Sequence, residues 1–259
     1  MPLVVATWNV NSIRSRLHVL LPWLDEVGPD VVCLQETKVQ DPDFPRGVVE
    51  ESGYRAIFRG EKAYNGVAIL SKRPIELACS GFDDGGPADE ARLIVGEVDG
   101  VTIVNTYVPQ GRAPDHEMFA YKLEWFARLR AFFEAHFSSE DPLLWVGDLN
   151  VAPEAIDVWD PKRLAGHVCF NPQVTEALEN VRSWGWVDVF RKHVPDAGQY
   201  TYYDYRTNEG VAEGKGWRVD HVHATRPLAD QSTKASIDLE PRRAPRPSDH
   251  APMLVEFDL

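Results

Sequence analysis

The segment Leu143-Leu144-Trp145-Val146-Gly147-Asp148-Leu149-Asn150 constrains this chain more than any other. Its apolar run reads as a buried strand, and it ends in an aspartate followed two residues later by an asparagine on the same face. Polar groups so placed at the end of a core strand suggest a site. The pattern recurs: Val4 to Trp8 runs into Asn9 and Asn11, Val31 to Gln35 into Glu36, and Val101 to Thr106 into Tyr107. Further on, Arg218-Val219-Asp220-His221-Val222 sets an aspartate in an apolar run, and Ser248-Asp249-His250 precedes the strand-like Met253 to Phe257. A sheet that gathers these ends collects carboxylates, carboxamides, a phenol and an imidazole in one pocket, a set that no packed core needs.

Carboxylates crowded into a low-dielectric pocket repel one another, so either their pKa values rise or a cation joins them. Oxygen ligands of the Asp, Glu and Asn type suit a hard cation such as magnesium, with manganese as substitute; such an ion keeps several waters and shares its shell with substrate phosphate. A metal-assisted phosphodiesterase is the function these residues favour.

Strand-like and helix-like segments alternate, which points to a layered α/β or α+β fold. The 259 residues allow one large domain or two small ones. The candidate site residues run from Asn9 to His250 with no low-complexity linker between them, so a single catalytic domain over 1–259 is expected. Ser12 is placed to cap a helix in which Ile13, Leu17, Leu20, Leu21 and Leu24 share a face, with Gly28 as its stop. Pro22 lies inside that pattern and argues against an unbroken helix. A second helix, from about Asp115 to Phe137, carries Phe119, Leu123, Phe126 and Phe133 at helical spacing as core residues.

Three cysteines, Cys33, Cys79 and Cys169, form no CxxC pair, so neither a disulfide framework nor a zinc site is indicated. The N-terminus lacks a basic segment followed by a long apolar one, and no apolar run reaches membrane-spanning length. A soluble, cytoplasmic, nucleoid-associated protein with no membrane partner is expected, with a monomer as the default. The net charge of -13 argues against coating nucleic acid through bulk electrostatics. A local basic footprint is still available, because Arg14, Arg16, Lys38, Arg92, Arg112, Lys122, Arg206, Lys215 and Arg218 lie near the strand ends in sequence.

With these residues in view, the chain resembles the exonuclease III family of abasic-site endonucleases. The matching segments include Trp8-Asn9-Val10-Asn11, Leu34-Gln35-Glu36-Thr37-Lys38, Asn105-Thr106-Tyr107-Val108-Pro109-Gln110-Gly111 and Gly147-Asp148-Leu149-Asn150. Downstream follow Trp184-Gly185-Trp186-Val187-Asp188-Val189-Phe190-Arg191, Asp204-Tyr205-Arg206, Gly216-Trp217-Arg218-Val219-Asp220 and Ser248-Asp249-His250-Ala251-Pro252. They stand in the family's order and cover nearly the whole chain.

The resemblance implies a four-layered αββα sandwich of two mixed sheets flanked by helices. It also implies incision of duplex DNA 5′ to abasic sites, 3′ to 5′ exonuclease action and removal of 3′ blocking groups. By the same resemblance, Glu36 is the principal metal ligand, with Asn9 and Asp249 completing or supporting the shell. Asp148 matches the residue that orients or deprotonates the attacking water, and Asn150 the one that holds it; both are also placed within reach of the metal. His250 matches the histidine on the scissile phosphate and Asp220 its orienting aspartate. Tyr107 is expected to donate its hydroxyl to the phosphate or act on the leaving group. Tyr202, Trp217 and Val219 match the wall of a pocket for a flipped-out abasic sugar, while Asn11, Arg92 and Arg112 are expected to contact DNA.

Three features depart from better-known relatives, the first being Ser12, which follows the Asn9 motif where glycine is common. Tyr202 stands where many carry Trp or Phe, and Ala91 replaces one of two adjacent arginines. His18, His116, His167 and His193 read as bystanders, and no role is assigned to His221 or His223. The rival readings are a sphingomyelinase-like or inositol-phosphate phosphatase-like phosphodiesterase, and a binding module that has lost turnover. The aromatic stretch favours DNA over the first, and the complete polar set favours an enzyme over the second.

Overall fold

Period-two alternation decides which face of each strand is buried and against what. The computed structural model describes residues 2–86, 90–205 and 210–259. In chain order the strands are β1 (Pro2–Asn9), β2 (Val31–Gln35), β3 (Arg55–Arg59), β4 (Val67–Ser71), β5 (Glu76–Ser80) and β6 (Leu93–Val98), then β7 (Val101–Tyr107), β8 (Leu143–Asp148), β9 (Trp186–Asp188), β10 (Asp220–Thr225), β11 (Ser232–Ile237) and β12 (Met253–Asp258). They form two six-stranded sheets, ordered β11-β12-β1-β2-β4-β3 and β5-β6-β7-β8-β10-β9.

Each sheet is mixed. β1 runs parallel to β2 and antiparallel to β12, and β7 runs parallel to β8 while β8 is antiparallel to β10. A parallel neighbour needs a crossover, and a helix supplies it each time. Helix α1 (Ile13–Val27) joins β1 to β2; a later helix, Glu117–His136, joins β7 to β8. The latter is α3, since the short α2 (Arg46–Glu51) precedes it.

Alternation sorts the strands into three apolar layers. On β1, Leu3 and Val5 face the other sheet, packed with Val31, Ile69, Ile103, Val146 and Val222. Ala6 and Trp8 face outward, under Leu20, Trp23 and Leu24 of α1. On the far side Val104 and Trp145 pack against Phe126, Leu129 and Phe133 of α3. The expected helix–sheet–sheet–helix sandwich is therefore what the two faces of each strand produce. No helix among the described residues is long and apolar enough to cross a membrane.

Two local expectations are corrected. Ser12 does not cap α1: it sits at φ 86 with no side-chain capping bond. The amides of Ser12 and Ile13 instead donate to the carbonyls of Glu36 and Thr37, at 2.7 and 3.1 Å. A neighbouring loop supplies the partners that a cap side chain would give. Pro22 does not break α1 either. Both Pro22 and His18, whose carbonyl loses its donor, are exposed, so water can take that place. Gly28 does end the helix, at φ 61 in the left-handed region.

The two histidines left without a role have structural ones. His221 is fully buried between the Arg218 guanidinium, 3.0 Å from Nδ1, and the Val151 carbonyl, 2.8 Å from Nε2. Arg218 in turn pairs with Asp157 and Asp188, at 2.6 and 2.9 Å. His223 stacks on Trp145 with ring centroids 4.8 Å apart, and neither of its buried nitrogens has a hydrogen-bond partner. Burial, followed by the nearby Arg218 charge, pushes His221 down to about 4. Burial holds His223 well below the usual imidazole range.

Both imidazoles are neutral in the fold, whereas in the unfolded chain they take a proton below about pH 6.5. The unfolded state then binds more protons, so stability falls with acidification from about pH 6.5 toward 4. Melting followed by circular dichroism is expected to show Tm dropping between pH 7 and 5. The drop should be smaller in His223→Phe; an equally steep drop in that variant would place the acid lability elsewhere.

Candidate active site

The inward rows that form the central core turn polar at one end of the sandwich, outside the carboxyl ends of the two parallel strand pairs. On β1 the row Leu3, Val5 continues as Thr7 and Asn9, and on β2 Val31 and Cys33 lead to Gln35. In the opposite sheet Ile103 leads to Asn105 and Tyr107 on β7, and Val146 leads to Asp148 on β8. Asp220 of β10 lies directly opposite Asp148 in the register. Amides stitch the first polar layer: Gln35 donates to Thr7 Oγ1 at 2.9 Å and across the sandwich to Asn105 Oδ1 at 2.7 Å. Asn105 returns two bonds to the carbonyls of Leu34 and Ala68.

Above that layer stand the reactive groups. Asp148 is buried; its Oδ1 accepts from the Asn150 amide and its Oδ2 from Asn9 Nδ2, both at 2.9 Å. The same Asn9 nitrogen donates to Glu36 Oε1 at 2.8 Å. Lys38 bridges Glu36 Oε2 and Asn11 Oδ1, at 2.6 Å each, and Asn11 donates to Asp249 Oδ1 at 3.0 Å. His250 Nδ1 meets Asp220 Oδ2 at 2.8 Å, which leaves Nε2 3.9 Å from Asp148 Oδ2. Asn11, Glu36, Lys38 and Asn150 all hold positive φ, between 45 and 52°. Such conformations carry local cost and persist where surrounding bonds impose them.

The electrostatics follow from burial and neighbours. Burial, with Asp220 and Glu36 adding to it, pushes the Asp148 carboxyl above the usual carboxylate range. For His250 burial works against the charged form, but Asp220 and Asp148 outweigh it and hold the imidazolium well into neutral pH. Burial also opposes ionisation of Glu36, yet Lys38 and the Asn9 bond bring it below its ordinary value. Burial, then Glu36 and Asp148, keeps the Tyr107 phenol protonated; its hydrogen bond with Glu36 contributes.

A cleft of about 740 Å³ opens over these groups. Tyr202, Trp217 and Val219 line it, with Tyr202 and Trp217 exchanging two backbone bonds of 2.9 Å. Arg112 lies exposed on the lining, 3.5 Å from His116 Nε2. Asn9, Asn11, Glu36, Tyr107, Asp148, Asn150, Asp220, Asp249 and His250 are thus brought to one place.

Arg92 is not at the cleft surface. It is 7% exposed, 4.8 Å from the Tyr107 ring centroid, and donates to the Tyr107 carbonyl at 3.2 Å. It backs the tyrosine rather than facing a ligand. Arg206 lies outside the described residues. His167, read as a bystander, lines the cleft with its ring 4.6 Å from Trp217.

Lys122, counted in the sequence among the cations of a basic footprint, has a different role that sequence reasoning missed. It sits in α3 at a helical position between core aromatics and is wholly buried. Its ammonium donates to three carbonyls, Asn150 at 2.7 Å and Gln110 and Val168 at 3.2 Å. One lysine therefore ties together three loops under the site. A charged residue on the otherwise apolar face of that helix is the signal that marked it.

Among the described residues two clusters bear ligand-type atoms close together, Asp188-His221-His223 and Asp148-Asp220-His250. In the first, the Arg218 guanidinium already supplies the positive charge. The second adjoins Glu36 and Asn9, and Asp220 Oδ1 is buried without a partner. Its oxygen donors and its unbalanced acidity fit a hard divalent cation. An ionisable carboxyl near neutrality, an imidazolium and such an ion are the elements of hydrolysis at phosphorus.

Fold and site together define a metal-dependent hydrolytic nuclease. Residues 6–250 match the model of the Endonuclease/Exonuclease/phosphatase family, and the chain belongs to that family. It is 32% identical over 263 residues to exodeoxyribonuclease III of Haemophilus influenzae, covering 97% of this chain and 98% of that one. An AP endonuclease from Archaeoglobus fulgidus superposes with a TM-score of 0.96 at 44% identity, over 99% of this chain and 100% of that one. The 3′ phosphatase NExo from Neisseria, solved with a product DNA hairpin, superposes at 0.91 and 32% identity, with 99% and 100% coverage.

Replacing Lys122 by Met leaves three carbonyls without their donor, each costing about 1–3 kcal/mol when buried, while removing a desolvated charge. The net expectation is about 2 kcal/mol of lost stability, seen as a fall of several degrees in Tm. An unchanged Tm would show that the ammonium does not brace these loops.

Proposed function

We propose that this chain is a divalent-metal-dependent DNA phosphodiesterase. It incises duplex DNA 5′ to abasic sites, and with the same groups degrades 3′ ends and removes 3′ blocking groups. One observation carries the reading: Asn9 joins Glu36 and Asp148 through a single amide nitrogen, with His250 3.9 Å from the same Asp148 oxygen. The homology to exodeoxyribonuclease III, to an AP endonuclease and to a 3′ phosphatase supports the substrate and all three activities.

In this reading Glu36 is the main ligand of Mg2+, with Mn2+ as substitute, and Asn9, Asp249, Asp148 and Asn150 complete or brace the shell. Held by these residues, such a cation would supply positive charge against the phosphate and the departing 3′ oxygen. Asp148, poised by its raised pKa, takes the proton of the attacking water. A bond from that water to phosphorus forms as the bond to the 3′ oxygen breaks, leaving a 3′ hydroxyl and a 5′ phosphate. His250, kept charged and oriented by Asp220, balances the phosphate oxygens. Tyr107, protonated and backed by Arg92, donates its hydroxyl to the phosphate or to the leaving oxygen.

The wall of Tyr202, Trp217 and Val219 accepts a sugar without its base. Turning a nucleotide out of the stack costs a few kcal/mol, least where no base is stacked, and that difference selects the lesion. Asn11 and Arg112 are placed to contact the strand. The protein acts as a monomer in the cytoplasm, and its catalytic domain takes in 1–259.

Asp148→Asn removes a base while preserving volume. Its kcat on a duplex with one internal abasic analogue is expected to fall by about 10³-fold or more with the circular dichroism spectrum unchanged. Near-normal turnover would refute the assignment. Chelation is expected to abolish incision and Mg2+ to restore it, and Glu36→Ala should need a higher Mg2+ concentration for half-maximal rate; an unaltered requirement would remove Glu36 from the shell.

A further inference from the structure

Beyond the sugar wall the cleft continues to side chains that hydrolysis does not use. Backbone pairs run in order from His250 to Tyr202, from Tyr202 to Trp217, and from Trp217 to Val158. Trp159, next in the chain, donates its amide to the Gly216 carbonyl at 3.2 Å. Three strand-to-strand steps of about 4.8 Å place this segment roughly 14 Å of ladder from His250, with the sugar wall in between. Trp159, Arg163 and Lys215 all line the cleft there.

The indole organises two cations. The Arg163 guanidinium carbon is 5.5 Å and Lys215 Nζ 5.6 Å from its ring centroid. A cation held against an aromatic face is positioned without being neutralised. Lys215 pairs with Glu213, but among the described residues Arg163 has no carboxylate partner. Arg163 is exposed, and in a chain of net charge -13 an arginine set on a tryptophan in the substrate cleft, with no carboxylate opposite it among the described residues, is placed to meet an incoming anion. The only anion that the reaction brings repeatedly into this cleft is the phosphodiester backbone.

The direction of that backbone follows from the chemistry. Incision on the 5′ side of a lesion puts the sugar 3′ to the reacting phosphate, so strand leaving the sugar wall on its far side is the 3′ flank. We propose that Trp159, Arg163 and Lys215 form a subsite for the phosphodiester immediately 3′ to the lesion sugar. The proposal rests on the endonuclease reading given above. The subsite is filled when the lesion is internal and empty when a 3′-terminal phosphate is removed, because no nucleotide then follows. It is therefore a specificity element that favours internal incision over end cleaning.

The test compares two duplexes of equal length, one with an internal tetrahydrofuran abasic analogue and one with a 3′-phosphate end, cleaved by the wild type, Arg163→Ala/Lys215→Ala and Trp159→Leu. For the double variant, kcat/KM at the internal site is expected to fall about tenfold or more, mostly through KM, with the 3′ phosphatase rate within about twofold of wild type. The slope of log affinity against log salt on the internal substrate should shrink by about one, for the one phosphate no longer neutralised. Trp159→Leu should show the same selective loss. Equal losses on both duplexes, or none on either, overturn the subsite while leaving the function intact. Failure of the wild type to incise the internal analogue overturns the endonuclease reading and the subsite with it.

Discussion

The carboxamide of Asn9 donates to one carboxylate from each sheet, Glu36 beyond β2 and Asp148 on β8. A buried carboxylate without donors is costly, and two facing each other more so. The sandwich tolerates them because the bonds around Asn9 fix where each oxygen lies. Asn9 is itself fixed: its Oδ1 accepts from the Asn11 amide, and its carbonyl accepts from Ser248 Oγ. Ser248 also receives the His250 amide, so the histidine loop is held to the same strand. Asn9, with the Gln35–Asn105 bond in the layer beneath it, thereby fixes the distance between the two sheets at this end.

Topology explains why the polar end is this one. In each sheet a parallel pair connected by a helix leaves its two carboxyl ends side by side, and both crossovers deliver their ends to the same edge of the sandwich. Loops leaving those ends must turn at once. The turns after β1, β2 and β8 use Asn11, Glu36, Lys38 and Asn150 at positive φ, where glycine would be easier. A side chain at each of these positions makes a bond that glycine could not: Glu36 accepts from Asn9, Asn150 donates to the Val108 carbonyl, and Lys38 and Asn11 link Glu36 to Asp249.

Alternation made much of this legible before any coordinates. A carboxylate at the end of an apolar period-two row can only point into the sandwich or out of it, and Asp148 and Asp220 were readable on that ground. The same rule pointed to a layered fold, while the four-layered arrangement came from the resemblance to a family. It failed where the partner is remote in sequence. Ser12 is a good capping residue, but Glu36 and Thr37 offer carbonyls that its sequence neighbourhood does not reveal. His221 and His223 alternate like ligands, yet one is committed to Arg218 and the other to a ring stack. Arg92 looks like surface charge and is buried behind Tyr107. Lys122 was counted with the cations of a basic footprint, and only the three carbonyls converging on it show what it does.

The overall acidity and the DNA substrate are reconciled by where the positive groups sit. Surface ion pairs absorb much of the basic complement, as Arg73 does with Asp30 and Asp99 and Arg128 with Asp84. Arg218 and Lys122 are spent inside the fold. With 40 acidic against 27 basic residues the long-range field does not attract duplex, and screening at physiological salt confines the remaining cations to short range. In the proposed reading, binding then depends on short-range contacts in the cleft, where a cation held by Glu36, the imidazolium of His250 and the cations on Trp159 would each meet a phosphate at a defined place. Undamaged duplex, which cannot put a bare sugar against Tyr202 and Trp217, satisfies only part of that set, so weak general attraction itself sharpens the choice of lesion.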